Sequence, residues 1–181
     1  MKGILFFVLA SLLCFLFSCN PQVPVKQGTE AVEKLPPRLE LQTRDVKGTV
    51  EAPGGASVYS GTLMTNEGSF EEAIVKLDPK ANISIYPTAG SFEALKNTLI
   101  QKLRNWGSFD TLDCKPNSLF YHTKNESDVA KEDGYNFLVV IPGKTKNYII
   151  TSEGEAPLKP ISDQALAERA YKMALSFKAT E

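Results

Sequence analysis

Few side chains in this 181-residue chain can make or break bonds, and their spacing limits what they could do. There is one histidine, His122, and there are three cysteines, Cys14, Cys19 and Cys114. A serine or cysteine nucleophile needs a base within hydrogen-bond reach, and Asp113, Cys114 and Ser118 are the groups near His122 in sequence. Residues 118–123 alternate like a strand, which puts Ser118 and His122 on one face. Four strand residues span about 13 Å, however, too far for proton transfer between them. Cys114 and His122 on neighbouring strands could meet, so a hydrolase built on that pair is the enzymatic alternative. The expectation is instead a surface or hydrogen-bonded histidine and a buried structural thiol, because free cysteine is among the most buried residue types.

Other chemistries fail on spacing. One histidine and one free cysteine cannot complete the usual zinc set. Glu126, Asp128 and Asp133 are acidic but lack the alternation of an EF-hand loop. Gly143-Lys144-Thr145 looks like the tail of a phosphate loop, yet Leu138 stands where that motif needs its first glycine, and a strand follows instead of a helix. No cofactor or metal is expected.

Cys19 differs, because its setting specifies a reaction. Lys2 is the only charge in the first eighteen residues, and an apolar run follows from Ile4 to Phe17. That run falls short of the roughly 20 apolar residues of a membrane-spanning helix, and it ends at the small residue Ser18. It reads as an export signal over residues 1–18. Transfer of lipid to a side chain through a thioether requires a thiolate, which only cysteine supplies. Cys14 is preceded by Leu12 and Leu13, with no small residue at a cut site. Leu16-Phe17-Ser18-Cys19 resembles the bacterial lipoprotein motif. The resemblance implies cleavage after Ser18, lipid attachment at Cys19 with palmitate among the acyl chains, and contact with a membrane through that lipid. At about 0.8 kcal/mol per buried methylene, three chains make a lasting anchor. Asn20 after the cysteine resembles the outer-membrane sorting signal, so the expected location is the outer membrane, facing the periplasm or the cell surface. An ordinary signal peptide and a short uncleaved anchor are the alternatives.

Removing 18 of 181 residues leaves 163, enough for one domain with a sizeable core. Lys2 leaves with the signal, so 19 Lys and Arg face 21 Asp and Glu, a net charge of −2. Nothing resembles the basic face that nucleic acid requires. Cys14 leaves, Cys19 is consumed, and Cys114 is left without a disulfide partner. The fold must therefore stand on its core.

The elements follow from period and punctuation. Pro21, Pro24, Pro36 and Pro37 make residues 19–44 an extended tether. From Asp45 the chain alternates, with Val46, Gly48 and Val50 on one face, up to Pro53-Gly54-Gly55. Strands are expected over 57–64, 73–77 and 82–86, between turn residues. A helix spans Ser91 to Trp106, with Ser91 as cap and Phe92, Leu95, Leu99, Leu103 and Trp106 as its core stripe. Strands resume over 109–114, 118–123, 135–141 and 147–152, around a polar loop from Lys124 to Gly134. A last helix runs from about Ser162 to Phe177, with Ile161 and Leu166 spaced as a hydrophobic staple and Leu166, Ala170, Met173, Ala174 and Phe177 facing inward.

Segregated strands and helices give an α+β domain over 45–181, an antiparallel sheet with two main helices packed on it. Val50-Glu51-Ala52-Pro53-Gly54-Gly55, Asn82-Ile83-Ser84-Ile85-Tyr86 before Phe92, and Ala174-Leu175-Ser176-Phe177-Lys178 occur in an order that resembles the Mog1/PsbP-like fold, including exported bacterial proteins of the DcrB type. That resemblance implies a non-catalytic binding or accessory role and a protein partner in the envelope. A surface adhesin binding host or phage components is the alternative.

Overall fold

The computed structural model describes residues 37–124, 133–154 and 159–180. The chain divides into two compact units, residues 1–34 and 35–181, and the fold below is that of the second. The export signal, Cys19, most of the tether and the polar loop's interior at 125–132 lie outside the described residues.

The alternating runs build an antiparallel seven-stranded sheet in the order β3-β4-β5-β9-β8-β7-β6. Its members are β3 (Ser57–Thr65), β4 (Gly68–Asp78), β5 (Ala81–Thr88), β6 (Ser108–Lys115), β7 (Ser118–Lys124), β8 (Asp133–Pro142) and β9 (Asn147–Glu153). The expected turns at 66–68, 78–80 and 142–144 join neighbouring strands, and a further hairpin between Lys115 and Ser118 makes four tight connections. Only the β5-to-β6 connection crosses the sheet, and it carries the first helix, α1 (Phe92–Trp106).

Both faces of the sheet are covered. On one, Leu119, Tyr121, Leu138, Val140 and Ile149 meet Phe92, Leu95, Leu99 and Leu103 of α1. On the other, Val75, Ile83, Ile85, Phe120, Phe137, Val139, Tyr148 and Ile150 meet the second helix, α2 (Gln164–Leu175). This two-sided burial explains why β8 reads Phe137-Leu138-Val139-Val140 without alternation. The α+β class and the two packed helices are as expected.

Each helix is capped by a side chain. Ala94 N–H donates to Ser91 Oγ at 3.4 Å, and Leu166 N–H donates to Asp163 Oδ1 at 2.7 Å. The second cap is one residue later than a staple at Ile161 and Leu166 requires. Ile161 is instead fully buried, and its backbone pairs with Tyr135 of β8. Besides Ala170, Met173 and Ala174, the inward face of α2 includes Ala167 and Tyr171. The Trp106 side chain, expected in the core stripe of α1, lies outside the described side chains.

The tether ends earlier than expected. Arg38–Gln42 forms β1, pairing with β2 (Lys47–Glu51), whose other edge takes β10 (Lys178–Ala179). Pro36 and Pro37 precede the strand, so they remove no donor from its ladder. Leu41 of β1 packs into the core with Val50 of β2 and with Val46 in the link between them.

Candidate functional site

The β6–β7 ladder separates the groups on which a hydrolase would depend. Directly opposed residues share a face in an antiparallel pair, and successive residues alternate. Cys114 stands opposite Leu119, on the α1 face, and His122 stands opposite Asp110. Leu119 and His122 are three residues apart, so they project to opposite sides of the sheet. The pair does not meet. Cys114 is also exposed, not buried, because β6 is an edge strand whose outer flank has no neighbour among the described strands.

Each remaining candidate is engaged elsewhere. His122 Nε2 lies 2.6 Å from Asp133 Oδ1, and its ring packs on Tyr135 at 4.6 Å. Ser118, buried beneath α2, has its Oγ 2.7 Å from Tyr171 Oη. Tyr171 Oη donates its single proton to Asp113 Oδ2 at 3.2 Å, which leaves Ser118 to donate to the tyrosine. Lys115 Nζ lies 2.8 Å from the same carboxylate. That ammonium holds the Asp113 carboxyl below the usual carboxylate range, while burial pushes the Tyr171 phenol up. The network ties α2 to the β6 edge and directs no lone pair at a nucleophile.

Two cavities stand out by their lining. One, about 560 Å³, is a cleft at the sheet end formed by the β3–β4 turn, the β5–α1 link and the β8–β9 hairpin. Its polar groups close on one another. Thr88 Oγ1 and Ala89 N–H donate to Glu67 at 2.9 and 2.8 Å, and Lys146 Nζ donates to the Asp45 carbonyl at 2.8 Å. Gly143-Lys144-Thr145 lies in this hairpin between two strands, without the helix a phosphate loop opens onto.

The second cavity, about 370 Å³, runs beside α1. Leu95, Thr98, Leu99 and Lys102 form its helical wall, and Tyr86, Tyr121, Asn136, Leu138, Ile149 and Thr151 lie along its floor. Size, apolar lining and a few convergent polar groups are the marks of a small-molecule site. Tyr121 is its notable member. Only 7 % exposed, it makes no side-chain hydrogen bond among the described residues, and burial alone pushes its phenol pKa up strongly. Asn136, also in the lining, donates from Nδ2 to Thr123 Oγ1 at 3.2 Å.

No ligand residue was expected from sequence. Tyr121 alternates with Leu119 as an ordinary core tyrosine does, and its missing partner depends on how α1 settles across the sheet. Among the described residues, no group of three or more His, Cys, Asp or Glu could hold a metal ion, and no helix is long and apolar enough to cross a membrane. No family model, curated protein or solved structure matches this chain.

Proposed function

We propose that this chain is a lipid-anchored protein of a bacterial envelope, held through Cys19, whose folded domain binds and does no bond-making chemistry of its own. The anchor is supported by Leu16-Phe17-Ser18-Cys19 at the end of a short apolar run. The binding role is supported by one observation above all: Cys114 and His122 project from opposite faces of one sheet, while a formed cavity lies beside α1 with neither histidine nor cysteine in its lining. The accessory role implied by the resemblance to the Mog1/PsbP-like fold agrees with this, and the outer membrane is the proposed location. Radiolabelled palmitate should enter the wild-type chain in growing cells and not Cys19→Ser. Equal labelling of both would refute the anchor.

A further inference from the structure

The cavity beside α1 has a direction. Helix α1 leaves β5 after Thr88, which pairs with Asn147, and delivers the chain to Ser108, which pairs with Lys124. It therefore runs from the Thr88–Asn147 end of the sheet to the Ser108–Lys124 end, with Leu95 early and Lys102 late. Seven helical residues separate the two, about 10 Å. The floor changes in the same sense. Tyr86 pairs with Ile149 at the early end, Leu138 pairs with Thr151 in the middle, and Tyr121 pairs with Asn136 at the late end. Leu95 and Ile149 thus lie at the early end together with the Tyr86 ring, and a phenol, an amide and an ammonium gather near Lys102.

Two of those polar groups have no partner among the described residues. The Tyr121 side chain is 7 % exposed, and its hydroxyl, which is not itself sealed from solvent, meets no partner among the described residues. The Lys102 ammonium, at the rim, makes no ion pair or hydrogen bond among the described residues. A neighbouring donor and cation suit an acceptor that carries negative charge. Beyond them the lining includes Leu99, Leu95 and Ile149, along which a hydrocarbon chain of about the same 10 Å reach would lie.

We propose that this cavity binds a single-chain carboxylate amphiphile, with the carboxylate at Tyr121 and Lys102 and the chain along Leu99, Leu95 and Ile149. This rests on reading the domain as a binding module and names the ligand class of that site. A neutral alcohol of equal length fills the apolar end but leaves the ammonium unpaired.

The test uses the full-length chain in phospholipid nanodiscs, with empty nanodiscs as blank, titrated with carboxyl-13C decanoate and, separately, decanol. Decanoate should saturate one site and bind at least tenfold more tightly than decanol. Tyr121→Phe and Lys102→Gln should each weaken decanoate about tenfold, and Lys102→Gln should leave decanol unchanged. Tyr121→Phe should melt no lower than wild type, since it removes a hydroxyl with no partner. Should that variant misfold, the exposed Lys102→Gln decides alone. Absence of saturable binding, equal affinity for the two probes, or unchanged affinity in Lys102→Gln would overturn the proposal. The palmitate result is independent of all three: a chain that takes decanoate without labelling at Cys19 keeps this site and loses the anchor, and the reverse outcome does the opposite.

Discussion

Tyr171 and Ser118 are joined by a 2.7 Å hydrogen bond across the interface between α2 and β7, with both residues buried and the tyrosine's own proton committed to Asp113. The Tyr171 ring also stacks on Phe120 at 5.1 Å, so packing and polar contact act through one side chain. Tyr171→Phe keeps the ring and removes only the hydroxyl. It should cost about 1–2 kcal/mol, because Ser118 is left buried without an acceptor. Adding Ser118→Ala removes that orphan, and the double variant should be more stable than the sum of the single losses predicts. Strictly additive losses in urea titrations would mean the hydroxyls do not interact.

Cys114 should behave as an independent surface thiol. It is exposed on an edge strand and projects from the face opposite His122. A maleimide should label the folded chain at Cys114, Cys114→Ser should lose that label, and His122→Gln should change the rate less than twofold. A rate that collapses in His122→Gln would place the imidazole beside the thiol and restore a catalytic reading.

The sequence carried the large sheet well and the small one poorly, for a physical reason. Every strand of the large sheet is an alternating or continuous apolar run, and most are set off by breakers such as Asp78-Pro79-Lys80 or Pro142-Gly143-Lys144. By contrast β1 and β10 are strands only because β2 offers two edges. The alternation of Leu39 and Leu41 was a signal for β1, masked by the prolines before it. Lys178–Ala179 is too short to carry any signal. The site follows the same division. The failure of Ser118 to reach His122 was legible from strand rise, whereas the exposure of Cys114 depends on β6 being an edge. The open phenol of Tyr121 depends on the placement of α1, which lies about thirty residues away in sequence at its start.

Gly48 illustrates a local pattern with a non-local cause. It shares the inward face with Val46 and Val50, yet a Cβ there would lie 2.5 Å from Phe177 Cε2 and 2.6 Å from the Lys178 carbonyl oxygen. The side chain could turn away, but the carbonyl belongs to the β10 backbone and cannot without loosening its pairing with β2. Gly48→Ala should therefore destabilise by about 1–3 kcal/mol, a fall of roughly 3–10 °C in Tm. Gly54→Ala, where no atom lies within 4 Å, is the control and should shift Tm by little. Equal shifts in the two variants would show that β10 does not press on β2.

Asp45 sets an acid limit on how the small sheet is tied to the large one. Its Oδ2 accepts from Arg44 Nε at 2.9 Å, Arg44 Nη2 at 2.7 Å and the Glu71 N–H at 2.7 Å. The Arg44 hydrogen bonds, followed by the Glu71 amide, hold its carboxyl below the ordinary carboxylate range. A carboxyl whose pKa is lower folded than unfolded binds fewer protons in the folded state. Its contribution is therefore complete above the unfolded value of about 3.9, and it disappears as pH falls through the lowered folded value. Arg44 is largely exposed, so most of the effect should come from the Glu71 amide and not from the ion pair. Asp45→Asn should cost about 1 kcal/mol near neutral pH. In urea titrations from pH 7 to pH 2, the gap between wild type and variant should hold constant down to about pH 5 and then close. A gap that persists undiminished at pH 2 would show that the carboxylate charge contributes nothing and that only the shape of the side chain matters.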